Sequence, residues 1–497
     1  MTELLQNAFD PEIFRKNGHE LVDQLADYLN ACKNKDDLKP LPWKTPADML
    51  QKWQTDFAAS SEEGVKEFFA AVIEDSLHLH HPKYMGHQVA PPAPLAALTE
   101  LLSALLNNSM AVYEVGPLSA AMEKVIVGWA ASVLGMGKEA GGILTSGGSS
   151  GNLTGLLAAR QHQADYNIWE DGAKDAYPFA VMTSAEAHYS ISRAVKIMGW
   201  GEKGIIKIPL NKRKEVDPNL LEQCYREALQ QGKRVAAVVG NACSTSTGSY
   251  DPLEEMADFC REHSLWFHVD GAHGAGAALT EKYRDLVKGI EKADSVVIDF
   301  HKMLLCPALT TAVIFKNDEF SHETFSQKAS YLLANEKKEN WFDIAAKTLE
   351  CTKKMMSVKI YALLRTYGPR LFSDYITATY DLAREFAGMI KESGDFELAL
   401  EPASNIVCFR YTPSAPGAHN PAELDRLNTR ARSRIKEDGE FYIVQTVING
   451  AVYLRTTLMN PFTSTNDLKQ LLQKIRGSFT GRPLAHKQVS YSNLFFL

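Results

Sequence analysis

Four short segments of this 497-residue chain place reactive side chains directly after apolar runs that are typical of buried strands. The first segment, LTSGGSSGN, carries Gly147, Gly148 and Ser149 between a predicted strand and a predicted helix. Glycines permit a tight turn there, and the free N–H groups at a helix start bind phosphate. The segment lacks the GK[ST] of a Walker loop and does not match GxGxxG, so alone it also fits a plain strand-to-helix connection.

The other three segments are TSAEAHYS with His188, WFHVDGAHG with Asp270, and SVVIDFHK with His301 and Lys302. A carboxylate at the end of a strand lies where open α/β sheets bind ligands. A partly desolvated lysine loses its proton more readily and can attack a carbonyl, so Lys302 suits a Schiff base. Taken singly, each also has a structural interpretation: a histidine at a helix start, an aspartate that caps a turn, and a lysine that extends to solvent.

Together the four segments indicate one ligand. A phosphate turn, a histidine able to stack on a ring, an aspartate and a lysine follow strands of one predicted sheet, in that order. A cofactor with a phosphate, a flat cationic ring and an aldehyde satisfies all four segments. That cofactor is pyridoxal 5'-phosphate.

Further motifs extend over nearly the whole chain: HPKYMGHQ, VYEVGP, NACSTSTGSYDPL and LRTTLMNP. With the four segments, they make the chain resemble the group II pyridoxal-phosphate-dependent amino-acid decarboxylases. That family includes the glutamate, cysteine-sulfinate, aromatic-L-amino-acid and 2,4-diaminobutyrate decarboxylases. The resemblance implies an α/β fold of fold type I, a homodimer with shared active sites, and α-decarboxylation of an L-amino acid to the amine and carbon dioxide.

The resemblance also implies roles for individual residues. The implied catalytic groups are Lys302, which carries the cofactor, Asp270, which faces the ring nitrogen, and His188, which stacks on the ring. The implied cofactor contacts are Gly147, Gly148, Ser149, Thr245, Asp270, Ala272, His301 and Lys302. The implied substrate contacts are His87, Tyr113, Phe342 and Arg455, of which Arg455 holds the α-carboxylate.

The elements that position these residues can be read from periodicity. Apolar residues at three and four spacing predict helices from Pro11 to about Ser76, which form an N-terminal arm. From about Leu144, short β-branched runs alternate with helical ones, which predicts a mostly parallel sheet covered on both faces. Two later strand-like runs, NIVCFRY and AVYLRTTL, flank a helix and predict a small α+β domain. The predicted bounds are 1–85 for the arm, 86–365 for the cofactor-binding domain and 366–497 for the small domain.

One departure from the family leaves the product open. Many members have a tyrosine on a loop upstream of the helix that corresponds to CTKKMMSVK, where it protonates Cα. This chain has no tyrosine between Tyr331 and Tyr361, and Trp341, Phe342 or neither takes the matching place. Without that donor, an aldehyde formed by oxidative decarboxylation and deamination is an alternative to the amine.

Substrate choice also stays open. VYEVGP and the neighbouring residues His87 and Gln88 favour small polar substrates (glutamate, aspartate, cysteine sulfinate or 2,4-diaminobutyrate), with aromatic amino acids as the alternative. An aminotransferase or lyase on the same fold and a non-catalytic cofactor-binding homologue are competing functions. The His301–Lys302 pair favours the decarboxylases over the aminotransferases, and the full set of reacting groups argues against a non-catalytic homologue.

Composition and charge disfavour several other classes of protein. There are 53 Lys and Arg against 60 Asp and Glu, a net charge of −7, which disfavours nucleic acid as a partner. No apolar run approaches the ~20 residues that span a bilayer, and the N-terminus does not resemble a secretory signal. Seven scattered cysteines without a CxxC pair indicate reduced thiols, and the cluster of His78, His80 and His81 lacks regularly spaced acidic ligands. A cytoplasmic protein without a metal is therefore expected.

Overall fold

The computed structural model describes residues 2–34, 38–58, 64–174, 178–325, 341–413 and 420–480. Its α-helices are α1 Glu3–Ala8, α2 Pro11–Asn34, α3 Pro46–Ala58, α4 Val65–Asp75, α5 Pro94–Leu106, α6 Pro117–Val133, α7 Gly148–Gln163, α8 Ile168–Asp171, α9 Tyr189–Ile197, α10 Leu221–Gln230, α11 Leu253–Glu262, α12 Glu319–Phe325, α13 Met356–Tyr367, α14 Arg370–Glu392, α15 Pro421–Asp438 and α16 Thr465–Thr480. Its strands are β1 Gly141–Thr145, β2 Phe179–Ser184, β3 Ile205–Ile208, β4 Arg234–Asn241, β5 Trp266–Asp270, β6 Ser295–Asp299, β7 Thr311–Phe315, β8 Phe396–Leu398, β9 Ile406–Tyr411, β10 Val444–Ile448 and β11 Ala451–Thr457.

Strands β1 to β7 form the large sheet, in the order β1-β7-β6-β5-β4-β2-β3. Strands β2 to β6 pair in parallel, while β7 is antiparallel to both of its neighbours, β1 and β6. Strand β1 therefore runs in the same direction as β2 to β6. The predicted mostly parallel sheet is confirmed, and the carboxyl ends of its parallel strands lie at one edge.

Both faces of the large sheet are covered, because successive residues of a strand pack into different helical layers. Ile143 of β1 belongs to an apolar cluster with Leu156 of α7 and Val195 of α9. The next residue, Leu144, belongs to the cluster on the other face, which includes Ile126 of α6. This two-sided burial explains why the strands read as continuous apolar runs rather than as alternating ones.

A second, antiparallel sheet has the order β10-β11-β9-β8 and packs against α14, α15 and α16. The predicted helix between β9 and β11 is α15. The segment that follows the N-terminal arm also joins this sheet: Tyr84 bridges Tyr442, and the Thr457 N–H donates to the Met85 carbonyl over 2.9 Å. The domain bounds stay a prediction, since the end of the arm packs with the small sheet.

The N-terminal arm contains α2, α3 and α4, where the periodicity predicts helices. Tyr28 of α2 lies against the histidine cluster, with its ring centroid 5.4 Å from that of His78 and 6.0 Å from that of His80. Within the described ranges, no group of three or more His, Cys, Asp or Glu side chains is arranged to hold a metal ion. No helix in the described parts of the chain has the length and apolar character to cross a membrane.

Candidate active site

A cavity of ≈ 270 Å³ lies at the edge where the parallel strands β1, β2, β4, β5 and β6 end. The sequence-predicted residues that line it are Gly147, Gly148, Ser149, His188, Thr245, Asp270, Ala272, His301 and Lys302. Those that the sequence did not single out are Ser146, Asn152, Asn241, Cys243, His273, Asp299 and Leu309. Asn241 and Asp299 had a signal of their own, because each is the polar last residue of a buried strand of the large sheet.

The turn between β1 and α7 leaves room for an anion. Gly147 has φ 105°, a backbone conformation that L-residues with side chains rarely adopt. A Cβ on Gly148 would lie 3.1 Å from Oδ2 of Asp299, so a side chain there would fill the space beside the helix start. The first N–H groups of a helix have no partner within it, so those of Gly148 and Ser149 are available to a phosphate.

Asp270 and His188 are linked through the buried side chain of Asn152, Asp270 directly and His188 through Ser190. Asn152 Nδ2 donates to Asp270 Oδ2 over 2.9 Å and to Ser190 Oγ over 2.9 Å. The second carboxylate oxygen, Asp270 Oδ1, accepts from the N–H of Ala272 over 3.3 Å. His188 caps α9 and its Nδ1 lies 2.8 Å from Ser190 Oγ. Burial lowers the pKa of His188, although the nearby Asp270 opposes it, so the neutral imidazole is favoured.

Lys302 pairs with a carboxylate at the end of β6. Its Nζ lies 3.0 Å from Oδ2 of the fully buried Asp299, and Thr311 Oγ1 donates to the other oxygen of that carboxylate. His301 Nε2 lies 3.6 Å from the same Oδ2. Burial alone would lower the pKa of Lys302, but Asp299 and Asp270 outweigh it and raise that pKa. Without a ligand, the amine therefore holds its proton.

Arg455 of β11 does not line the cavity itself, but from the small sheet it contacts Thr245, which does. Its side chain donates to the carbonyl of Thr245 over 2.5 Å, and its Nε is buried without a hydrogen-bond partner among the described residues. Burial lowers the pKa of Arg455. His87 does not line the cavity, and its pKa is lowered by partial burial of the ring and by the charges of Arg455 and Arg432. Two guanidinium groups, those of Arg455 and Arg432, therefore form a basic region near His87.

Tyr113 and Phe342 form a pair outside the lining of the cavity. Their ring centroids are 5.6 Å apart at 68°, and the Tyr113 N–H donates to Asp343 Oδ1 over 3.0 Å. Both side chains are partly exposed. Residues 326–340, which include Tyr331 and most of the predicted loop, lie outside the described residues. The predicted contact of Tyr113 and Phe342 with substrate stays a prediction.

The groups in the cavity fit pyridoxal phosphate. The glycine turn at the start of α7 suits a phosphate, the buried Asp270 carboxylate suits a protonated ring nitrogen, and the Lys302 amine suits an aldehyde. Burial raises the pKa of Cys243 to about 12, so this thiol stays neutral and adds no further anion to those of Asp270 and Asp299.

A family model and several curated proteins are similar to this chain over most of its length. Residues 47–412 match the family model described as the pyridoxal-dependent decarboxylase conserved domain. The L-aspartate decarboxylase of Metarhizium robertsii is 30% identical over 397 residues, 79% of each chain. The L-2,4-diaminobutyrate decarboxylase of Acinetobacter baumannii is 28% identical over 428 residues, 83% of each chain. The aromatic-L-amino-acid decarboxylase of Bacillus atrophaeus is 27% identical over 481 residues, 96% of this chain and 97% of its own.

A solved structure shows the same fold. The crystal structure of mouse CSAD matches with a TM-score of 0.86 and 24% identity, and the match covers 94% of this chain and 99% of that one. The family match spans both the large sheet and the cavity at its edge. The chain therefore belongs to the pyridoxal-dependent decarboxylase family and is a pyridoxal-phosphate-dependent amino-acid decarboxylase, a carboxy-lyase.

Proposed function

We propose that the protein α-decarboxylates a small polar L-amino acid, with an acidic side chain favoured over 2,4-diaminobutyrate, to the amine and carbon dioxide. The observation that carries this proposal is the buried Arg455 beside Thr245, whose Nε has no partner among the described residues. Such a guanidinium can hold the α-carboxylate of an amino acid in a bidentate contact. The charges of Arg455 and Arg432 both act at His87, and this basic region supports a substrate with a second acidic group.

We assign each residue in and beside the cavity a separate role in binding the cofactor or the substrate. When bound, pyridoxal phosphate supplies an electron sink for the bond between Cα and the carboxylate. We assign the phosphate to Gly147, Gly148 and Ser149. We assign the remaining cofactor contacts to Asp270 at the ring nitrogen, His188 and Ala272 at the ring faces, Thr245 at the ring hydroxyl, and His301 and Lys302 at the attachment point. Arg455 orients the carboxylate that leaves, and the buried surroundings exclude water from it.

A substrate panel tests the proposal. The purified holoprotein is mixed with glutamate, aspartate, cysteine sulfinate, 2,4-diaminobutyrate, tyrosine, tryptophan and phenylalanine, and carbon dioxide, amine, aldehyde and peroxide are followed together. We expect the highest kcat/KM for an acidic substrate and no product with Lys302→Ala. A highest kcat/KM for an aromatic substrate contradicts the proposed substrate class. That second candidate is supported by the Bacillus atrophaeus relative, which aligns with 96% of this chain.

The product is tested at Phe342, because the chain has no tyrosine between Tyr331 and Tyr361. If Phe342 occupies the place of the proton donor, Phe342→Tyr should raise the ratio of amine to aldehyde several-fold, because a phenol within hydrogen-bond reach protonates Cα before oxygen reacts there. Trp341→Tyr is the matched control and should leave the ratio unchanged. A wild-type protein that forms only amine without oxygen uptake rules out the oxidative alternative, and His188 is then the donor to test.

We also propose a homodimer. The first helix, α1, buries no residue, and Leu4 and Phe9 are each 80% exposed. Helix α5 exposes Leu98, Leu102 and Leu105, which share one helix face at positions i, i+4 and i+7. Apolar faces of this kind are typical of protein interfaces. Sedimentation should give twice the 55.1 kDa chain mass, and a monomer at micromolar concentration contradicts the proposal.

We further propose that the protein is located in a reducing compartment such as the cytoplasm. All seven cysteines are free, and disulfides are rare in such compartments.

A further inference from the structure

A continuous chain of buried hydrogen bonds lies behind Asp270. Trp266 Nε1 donates to Ser295 Oγ over 2.9 Å, and Ser295 Oγ lies 2.7 Å from His268 Nδ1. His268 Nε2 lies 3.0 Å from Asn152 Oδ1, and Asn152 Nδ2 donates to Asp270 Oδ2 over 2.9 Å. The side chains of Trp266, Ser295, His268 and Asn152 are all nearly inaccessible to solvent.

Strand geometry produces this alignment. Trp266, His268 and Asp270 are alternate residues of β5 and therefore lie on the same face of the sheet. Ser295, the first residue of β6, is the register partner of His268. On the facing helix α7, a Cβ at Gly155 would lie only 2.6 Å from Cε1 of His268, so this glycine allows the ring to lie against the helix.

The direction of every hydrogen bond in the chain follows from Asp270. A carboxylate oxygen accepts hydrogen bonds, so the NH₂ group of Asn152 faces Asp270 and its Oδ1 faces His268. His268 then donates from Nε2 and accepts at Nδ1 from the Ser295 hydroxyl, whose oxygen accepts from the Trp266 indole. All four groups donate toward the carboxylate, and no donor meets a donor.

A branch of the same network reaches His188. Asn152 Nδ2 also donates to Ser190 Oγ over 2.9 Å, so the Ser190 hydroxyl gives its proton to His188 Nδ1 over 2.8 Å. The N–H of Ser190 donates to the same Nδ1 over 3.3 Å. With two donors at Nδ1, the neutral His188 carries its proton on Nε2. Asn152 therefore connects the orientation of Asp270 to the tautomer of His188.

We infer that His268 and Asn152 are positioning residues, which keep the Asp270 carboxylate aimed at the ring nitrogen and hold His188 in its Nε2–H form. This inference rests on the proposed contact of Asp270 with the ring nitrogen. Without the donor from His268, the Asn152 amide is free to turn over and present its oxygen to Asp270. The two oxygens repel each other, and the carboxylate loses a charge-assisted hydrogen bond.

The affinities of the apoprotein for the cofactor and for one cofactor analogue test the inference without measuring turnover. Pyridoxal phosphate and 1-deazapyridoxal phosphate share the phosphate and the aldehyde, but carbon replaces the ring nitrogen in the second. Equilibrium dialysis with the apoprotein should show that wild type binds pyridoxal phosphate more tightly. His268→Leu should weaken that binding by about tenfold, as expected for one charge-assisted hydrogen bond, and leave the deaza analogue within about twofold. His268→Gln keeps an N–H donor near the place of Nε2 and should restore most of the affinity.

The outcomes separate the inference from the proposed function. If wild type binds pyridoxal phosphate and the deaza analogue equally, the proposed contact between Asp270 and the ring nitrogen is wrong. Wild type can instead bind pyridoxal phosphate more tightly than the deaza analogue. In that case the positioning role is wrong if His268→Leu binds as wild type does, or if it loses affinity for both compounds equally. A His268→Gln variant that behaves like His268→Leu also overturns it. Should His268→Leu fail to fold, Ser295→Ala removes the proton supplied to His268 Nδ1 and must show the same selective loss, smaller in size.

Discussion

Two carboxylates control the charge of the lysine that we assign to the cofactor. Asp299 lies 3.0 Å from Lys302, and together with Asp270 it raises the lysine pKa although burial acts in the opposite direction. An amine that attacks an aldehyde must first lose its proton. The ion pair with Asp299 therefore stabilises the cofactor-free site and slows the capture of the cofactor at neutral pH.

Asp299→Asn should shift the pH dependence of cofactor capture. With one anion removed, burial is less opposed and the pKa of Lys302 falls, so the midpoint of the rate against pH should move to lower pH. Stopped-flow absorbance of apoprotein mixed with pyridoxal phosphate measures this midpoint. Asp318→Asn is the matched control, because Asp318 pairs with a different lysine, Lys347, at 2.7 Å. A midpoint that is unchanged or higher in Asp299→Asn contradicts the account.

At this scale the sequence identified residues that directly follow an apolar run, such as Asp270 and Lys302, because the end of a parallel strand is a defined place. It did not identify Asn152 or His273. Asn152 lies within a helix, and His273 meets the cavity only because the turn after β5 folds back to it. Such positions depend on packing between elements, which periodicity does not report.

A buried ion pair ties three elements together beside the phosphate turn. Lys353 Nζ lies 2.6 Å from Glu123 Oε1, with both side chains almost fully buried, and it also donates to the Leu144 carbonyl over 2.7 Å. Glu123 Oε1 accepts from the N–H of Leu144 over 3.0 Å. Helix α6, strand β1 and the segment before α13 are therefore joined one residue before β1 ends.

Lys353→Met should lower the free energy of unfolding by about 3–5 kcal/mol, because it leaves the Glu123 carboxylate buried without its cation. The double variant Lys353→Met with Glu123→Gln should recover most of that loss, since the amide oxygen still accepts from Leu144. Arg370→Met is the control: Arg370 and Asp374 are 87% and 67% exposed, and such pairs contribute about 0–1 kcal/mol. Urea denaturation measures all of these. An unrecovered double variant would show that the charge is not the cause.

The elements that the sequence predicted are those with long or fully buried patterns. Strands β1, β2 and β4 to β7 match the short β-branched runs that start at about Leu144, and β9 and β11 match NIVCFRY and AVYLRTTL. Strands β3, β8 and β10 were not predicted. Strand β8 has only three residues, Lys207 interrupts the isoleucines of β3, and Gln445 and Thr446 interrupt the apolar residues of β10, so none of them forms a continuous apolar run.

The stability of the whole molecule should depend on pH through its buried histidines. Burial lowers the pKa of His268 to about 4 and that of His273 to about 3, from an ordinary value of 6.5. Both stay neutral in the folded protein, while the unfolded chain takes up protons as the pH falls below 6.5. Burial also raises the pKa of Asp251 to about 6, so the folded protein takes up one proton there and partly offsets the effect.

The Tm of the apoprotein should therefore fall between pH 7 and pH 5. Each of the two histidines contributes a loss of about 2 kcal/mol at pH 5, because one pKa unit corresponds to about 1.4 kcal/mol. His273→Gln should flatten the decline, and Asp251→Asn should steepen it. Calorimetric scans at several pH values measure these slopes. A Tm that rises toward pH 5 contradicts this assignment of charge.

At the scale of the molecule, the sequence predicted a helical arm, a mostly parallel sheet and a small C-terminal α+β unit. It did not predict that the end of the arm would enter the core of the small sheet, where Met85 is fully buried. This contact joins residues more than 350 positions apart, such as Met85 and Tyr442, and local patterning carries no information on such pairs.

We assign pyridoxal phosphate to the cavity at the edge of the large sheet, attached to Lys302. Borohydride reduction of the holoprotein fixes the cofactor to the amine that carries it, and peptide mass mapping locates that amine. We expect one modified peptide, with the label on Lys302, and no label in Lys302→Ala, whose circular dichroism should match that of wild type. A label on any other lysine, or undiminished labelling of Lys302→Ala, contradicts the account.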